Sequence, residues 1–367
     1  MKYYIIAGEA SGDLHGSNLI KAIFKKDAHA SIRCWGGDLM EAAGGQLIKH
    51  YRDLAFMGFI EVVKNLPVIL KNIKFCKSDI QKSNPDILIL IDYPGFNLRI
   101  AEWAKLNGYK VIYYISPQVW AWKSNRVKKM KKYIDKMFVI LPFEKQYFQH
   151  KWKWDVEYIG HPLIEAIQHF RKAYTQPILS FDKPVIALLP GSRKQEIKVK
   201  LPIMLEVCSR FPDYHFVIAK APGIDEDFYD ELICGHENIS YVINQTYPLL
   251  QIATAALVTS GTATLETALF KVPQIVCYKG SKISYEIARR VIRIKYISLV
   301  NLIMDSPVIK ELIQDDLTPD NIAKELYNIL PGGTSRNQIL QHYDELEAML
   351  QIQSSPSDLL AQSIITN

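Results

Sequence analysis

Short apolar runs alternate with amphipathic stretches along nearly the whole chain. In the first half Tyr3–Ala7, Arg33–Trp35, Ile87–Asp92, Val111–Ser116, Met137–Leu141 and Val156–Ile159 read as strands, with helical patterns such as Leu14–Lys26 between them. A second series follows: Val185–Leu189, His215–Ala219, Ser240–Ile243, Ala255–Thr259 and Gln274–Tyr278, with helices expected at Lys198–Arg210 and Thr262–Phe270. Strands separated by helical patterns predict βαβ units and parallel sheets. The polar stretch Gln168–Lys183, which contains Pro177 and runs into Pro184, is the best linker. The expected architecture is α/β, with two doubly wound parallel-sheet domains facing across a cleft, where small-molecule sites tend to form. The domains are expected at residues 1–170 and 171–336. Residues 337–367 form a last helix and tail, packing back on the N-terminal domain or on a partner subunit.

Four turns at strand ends carry candidate chemistry. The first strand breaks into Gly8-Glu9-Ala10-Ser11-Gly12-Asp13 and then a helix, the junction where open α/β sheets bind ligands. It lacks the G-x-G-x-x-G spacing, and Glu9 and Asp13 stand where a pyrophosphate would meet negative charge, so this turn should receive something other than phosphate. Leu90–Asn97 places Asp92 at the carboxyl end of a very apolar strand; partial desolvation raises the pKa of such an acid and suits it to general-base work, although capping the Pro94-Gly95 turn would be a plainer role. Leu189-Pro190-Gly191-Ser192-Arg193 offers backbone N–H groups, a hydroxyl and a guanidinium together, which suits a diphosphate; the plainer reading pairs Arg193 with Glu196. Ser260-Gly261-Thr262 opens a helix whose free N–H groups favour an anion, and Glu266, one turn in, can accept from sugar hydroxyls. An isolated segment of this kind is more often an ordinary capped helix, but two anion-friendly turns in one half shift the balance toward a nucleotide diphosphate.

Composition narrows the classes. The chain has 367 residues, 49% of them hydrophobic, enough for more than one core, and a net charge of +6. That mild excess fits anionic substrates or a membrane surface and falls short of nucleic-acid binding. The five cysteines are dispersed and odd in number, as in a reduced cytosolic protein, and no segment reads as a signal peptide or a membrane span. Asp225-Glu226-Asp227 matches the D-x-D pattern of metal-dependent sugar transferases but lies among other acids at a helix start, and His15 and His161 lack ligand spacing. Neither a metal nor another cofactor is expected. The basic run from Lys123 to Lys136 beside Trp120 and Trp122 reads first as a solvated helix and second as a membrane contact. Between Phe56 and Phe75, the residues Phe56, Phe59, Ile60, Val63, Leu66, Leu70 and Ile73 share one helical face, read as core ahead of an interfacial helix.

Together Gly8–Asp13, Ile91–Asn97, Ser116–Trp122, Leu141–Glu144, Gly160–Pro162, Leu189–Arg193, Ser260–Glu266 and Ser298–Leu302 closely resemble, in order and over nearly the whole chain, the motifs of the lipid-A-disaccharide synthases. The resemblance implies an inverting GT-B glycosyltransferase of family 19. Such an enzyme joins UDP-2,3-diacylglucosamine to 2,3-diacylglucosamine 1-phosphate (lipid X), giving the β-1,6 disaccharide and UDP. It also implies an N-terminal acceptor domain, a C-terminal UDP-sugar domain, and cytoplasmic location with peripheral attachment to the inner membrane; a homodimer stays open. Carried over by position, Asp92 deprotonates the acceptor 6-hydroxyl with Glu9 beside it. Ser11 and Gly12 line the first turn, Gly191, Ser192, Arg193, Ser260, Gly261 and Thr262 hold the diphosphate, and Glu266 and Asn301 lie near the nucleotide sugar. In one departure, some members of that family carry a second acid three residues after the matching aspartate, where this chain has Gly95. Two other readings compete: another UDP-sugar enzyme of the same fold, such as a UDP-N-acetylglucosamine 2-epimerase, and a non-catalytic nucleotide-sugar binding protein.

Overall fold

The run Ile87-Leu88-Ile89-Leu90-Ile91 has no polar position, so as a strand it must be covered on both faces, and it is buried from end to end. It forms β4 (Ile87–Ile91), the middle strand of a parallel sheet in the computed structural model, which describes residues 1–54, 66–221, 223–281, 285–286 and 294–366. The other strands are β1 (Lys2–Ala7), β2 (Ser31–Gly36), β3 (Gln46–His50), β5 (Lys110–Tyr114), β6 (Lys136–Val139) and β7 (Glu157–Tyr158), in the order β3-β2-β1-β4-β5-β6-β7. Successive side chains point to opposite faces. Tyr4, Ile6, Leu88 and Leu90 therefore meet Ile73, Ile80, Phe96, Ile100, Val127 and Met130 on one side. Tyr3, Ile5, Ile87 and Ile89 meet Leu19 and Ile23 of the helix Ala10–Lys26 on the other.

A second parallel sheet contains β8 (Val185–Leu189), β9 (His215–Lys220), β10 (Ile239–Ile243), β11 (Ala253–Val258), β12 (Gln274–Tyr278) and β13 (Lys310–Ile313), in the order β10-β9-β8-β11-β12-β13. β3 and β13 were not expected. Both are edge strands of mixed polarity, Gln46-Leu47-Ile48-Lys49-His50 and Lys310-Glu311-Leu312-Ile313, and such strands lack a continuous apolar run. The helix expected at Lys198–Arg210 spans Lys194–Leu205, with Pro202 inside it and a separate 3-10 turn at Cys208–Arg210.

The chain divides into two compact units, Met1–Pro162 together with Ile352–Asn367, and Leu163–Gln351. The change of unit thus comes at Pro162, ahead of the boundary expected after residue 170. In the helix Pro162–Ala173, Phe170 packs on Tyr247 and Phe270, and Arg171 donates to the carbonyl of Leu269. The residues after 336 also divide. The helix Arg336–Leu350 belongs to the second unit, where Lys271 pairs with Asp344 and Glu347. The helix Pro356–Ile365 belongs to the first, where Leu360, Ala361 and Ile364 join the core beside Leu19 and Ile23.

All five cysteines are free. Among the described residues no helix is long and apolar enough to cross a membrane. Of the apolar face expected between Phe56 and Phe75, residues 56, 59, 60 and 63 and the side chain of residue 66 lie outside the described structure. The remainder splits: Ile73 is buried, whereas Leu70 is exposed, so the expected single core face does not extend over the helix Leu66–Ser83.

Candidate active site

In a parallel sheet wound in both directions, the loops that leave two adjacent strands at the reversal of strand order diverge and open a crevice at the carboxyl ends. In the first unit that reversal falls between β1 and β4, whose last residues Ala7 and Ile91 are register partners. The turns that follow carry Glu9 and Asp92. Asp92 and Tyr93 both adopt left-handed backbone, φ 43° and 47°, which costs a non-glycine residue about 1–2 kcal/mol each. Hydrogen bonds oppose this strain. The Asp92 N–H donates to Tyr114 O (3.0 Å), and its carbonyl accepts from Tyr113 Oη (2.6 Å) and Asn97 Nδ2 (2.8 Å). The Asn97 side chain is fully buried and also donates to Ile91 O, so it ties the first helical turn back to the strand end. Gly8 is required by the same turn, because a Cβ there would lie 2.3 Å from the Tyr93 ring.

Burial, then the charge of Glu9, pushes the Asp92 carboxyl from 3.8 up to about 7, against a hydrogen bond from the Tyr93 backbone that favours ionisation. A carboxylate that takes up a proton near neutrality suits general-base work. Glu144 is also raised to about 7, chiefly by burial, with Asp92 contributing. Its oxygens are occupied by Trp120 Nε1 (3.1 Å), Leu141 N (3.0 Å) and Ile140 N (3.2 Å), so it fastens the Ser116–Trp122 loop to the start of the helix Pro142–Trp152. His15 and His161 are buried and held neutral, at about 4 and about 3.

The remaining residues of the first turn separate by role. Ser11 is exposed. Gly12 is buried, and a Cβ on it would meet that of Ala7 at 3.0 Å, so it lets the helix approach β1 closely. Asp13 does not face the turn. Its carboxylate accepts from Gly37 N (2.7 Å), Met40 N (3.0 Å) and Leu39 N (3.1 Å), capping the helix Asp38–Ala42. A Cβ at Gly95 would meet nothing within 4 Å, so the absence of a second acid there leaves open space.

In the second unit the order reverses between β8 and β11, and the two anion-friendly turns leave those strands. Leu189 and Val258 are register partners, and Thr259 N–H donates to Leu189 O (2.9 Å). Gly191 has φ 122° and Gly261 φ 140°, conformations that exclude most side chains. Ser192, Arg193, Gly261 and Thr262 are exposed, and Ser260 Oγ donates to Ile297 O (2.8 Å). Arg193 pairs with Glu196 at 3.1 Å, as the plainer reading of that turn anticipated. Glu266 accepts from Tyr247 Oη (3.1 Å) and burial raises its pKa. Asn301 is buried, bonding Ile309 through both its amide nitrogen and its oxygen and donating to Glu311, so its side chain serves the packing of this segment. Sequence reasoning gave no role to Glu311, which also accepts from the backbone of Ile297 and Ser298. Asp225 precedes the helix Glu226–Ile233, and Glu226 pairs with Lys220, so the D-x-D segment is part of a helix start. Among the described residues no three His, Cys, Asp or Glu side chains group so as to hold a metal ion.

The family model for lipid-A-disaccharide synthetase matches residues 3–365. The chain belongs to the lipid-A-disaccharide synthase family. The lipid-A-disaccharide synthase of Geobacter metallireducens is 38% identical over 331 residues, 88% of this chain and 86% of that protein. The family is one of glycosyltransferases acting in lipid A biosynthesis. Solved structures with the same architecture are more distant. The Neisseria meningitidis UDP-GlcNAc 2-epimerase bound to UDP-GlcNAc has a TM-score of 0.65 at 14% identity, with both chains covered completely. The glycotransferase of kitacinnamycin has a TM-score of 0.68 at 13% identity, covering 100% of this chain and 98% of that one. These likenesses establish the GT-B fold of the lipid-A-disaccharide synthase family in this chain, and the family match separates it from the epimerases.

Proposed function

We propose that the chain transfers the 2,3-diacylglucosaminyl group of UDP-2,3-diacylglucosamine to the 6-hydroxyl of 2,3-diacylglucosamine 1-phosphate, with inversion, releasing UDP. The observation that carries this reading is Asp92, a carboxyl held near neutrality in a left-handed turn at the reversal point of the first sheet. In a single inverting displacement the acceptor oxygen attacks the anomeric carbon as the bond to the diphosphate breaks. Asp92 takes the hydroxyl proton, and Glu9 sets its basicity. The departing diphosphate gains charge, which Arg193 and the N–H groups of the Gly191–Ser192 and Ser260–Thr262 turns stabilise. Glu266 takes sugar hydroxyls of the nucleotide. The neutral ends of this set, Ser11 and Gly12, border the acceptor.

The same reading makes the first unit the lipid side and the protein a peripheral one on the cytoplasmic face of the inner membrane. Supporting this, the helices Leu66–Ser83, Pro94–Leu106 and Arg126–Tyr133 pack on one face of the first sheet. They and the preceding loop leave Leu70, Phe75, Leu106 and Trp122 exposed, with Lys123 (4.3 Å) and Arg126 (5.5 Å) against the Trp122 ring.

The test is UDP release from UDP-2,3-diacylglucosamine in detergent and EDTA, with and without the monosaccharide 1-phosphate, beside Asp92→Ala. Acceptor-dependent release that persists in EDTA and collapses in the variant supports the reading. Donor binding without acceptor-dependent release refutes it.

A further inference from the structure

The second unit buries a lysine directly beneath the turn assigned to the diphosphate. Lys200 is only 2% exposed, although a buried ammonium is costly unless it is paired. Its Nζ bonds Thr259 Oγ1, at the end of β11, and lies 3.5 Å from the position a Cβ on Gly191 would take. Glu196 stands between this lysine and the solvent-facing Arg193. One oxygen is 3.1 Å from Arg193 Nη1 and the other 3.6 Å from Lys200 Nζ. That second oxygen is also 2.8 Å from where a Cβ on Gly191 would lie, so the carboxylate fills the space that glycine leaves open at the turn. Two cations share this carboxylate, so an internal anion already occupies the cradle.

We infer that Glu196 is the resident counter-ion of the nucleotide site, and that an entering diphosphate takes Arg193 from it while the buried Lys200 retains the displaced carboxylate. The inference rests on the reading of the second unit as the nucleotide site. It makes both residues positioning residues, acting through Arg193 and the Gly191 turn. Burial lowers the pKa of Lys200, and the carboxylate that competes with the ligand opposes that shift.

Calorimetric titration of the full chain with UDP and with UMP tests this. Glu196→Gln should tighten UDP binding by about two- to fivefold, the range open to a partly exposed ion pair. Lys200→Met should weaken UDP by about tenfold and UMP by less, because a second phosphate feels the lost charge more strongly. The double variant should recover most of the Lys200→Met loss, since the competing carboxylate has gone, an outcome that a merely structural lysine would not produce. Lys200→Gln, which keeps a donor for Thr259, separates lost charge from lost packing, and thermal unfolding of each variant detects misfolding. Unchanged or weaker UDP binding in Glu196→Gln, or a double variant as weak as Lys200→Met, overturns the inference while leaving the nucleotide site standing. If the parent protein binds no UDP, the nucleotide reading falls and this inference falls with it.

Discussion

The basicity of Asp92 can be tuned without touching Asp92. Its pKa rises from 3.8 to about 7, with burial the larger cause and the Glu9 carboxylate the second. Since Glu9 is the lesser of the two causes that raise it, Glu9→Gln should lower the Asp92 pKa by about one unit, or about 1.4 kcal/mol. The proton must be off Asp92 for it to act, so activity falls as pH drops through the pKa. At pH 6 about a tenth of the parent enzyme would be ionised, against about half of Glu9→Gln. Relative to its own plateau, the variant should therefore be about fivefold more active at pH 6. The plateau itself should fall, because a weaker base removes the proton less readily. The measurement is initial UDP release at saturating donor and acceptor from pH 5 to 9, with the position of the acid limb read rather than its height. A limb that stays in place would show that Glu9 does not set the basicity of Asp92. Loss of activity in Glu9→Gln, together with activity retained in Asp92→Asn, would transfer the proton to Glu9 and refute the assignment.

The raised pKa also has a stability consequence. Folding favours protonated Asp92, so stability is lost as pH rises from about 4 to about 7 and is flat beyond. Asp92→Asn should thus raise thermal stability at pH 8, by about 1–2 kcal/mol after allowance for partial solvent screening, while abolishing turnover. Asp13→Ala removes three backbone hydrogen bonds and should destabilise the first unit by about 2 kcal/mol in urea unfolding, with UDP affinity unchanged. Gly8→Ala should displace Tyr93 and reduce turnover with little effect on UDP binding, as measured by calorimetry beside the activity assay. Replacing Trp122 by Ser and Lys128, Lys129 and Lys132 by Glu should release the protein from vesicles containing anionic lipid; co-sedimentation unchanged from the parent would exclude this face from membrane contact.

Much of this arrangement was legible in the sequence, because the central strands are built on apolar runs and each candidate turn follows one within two residues. Ile87–Ile91 and Val185–Leu189 have no other reading, and Glu9, Asp92, Gly191 and Ser260 all lie just beyond such runs. Strand order was less accessible, since pairing β1 with β4, or β8 with β11, depends on crossovers that leave no local mark. Side-chain direction was hidden too. Asp13 reads as part of a binding turn until Gly37–Met40 is seen to offer it three N–H groups, and the bonds of Asn301 to Ile309 and Glu311 leave no mark in the sequence. Lys200 gave no signal, for it sits in a run of charged residues, and only the depth of Thr259 beneath the turn shows that it is buried.

The first unit is assembled from both ends of the chain, and this fixes an order of events during synthesis. Leu360, Ala361 and Ile364 cover apolar positions of the helix Ala10–Lys26, and Lys136 and Lys26 hold that segment through Ser363 and Gln362. Residues Met1–Pro162 leave the ribosome first, yet their partner follows only after the whole of Leu163–Gln351. At about 5–20 residues per second, that interval lasts about 10–40 s. The nascent chain therefore carries an uncovered apolar stripe while the second unit, continuous in sequence, can already close. The unit made first is the last to be finished.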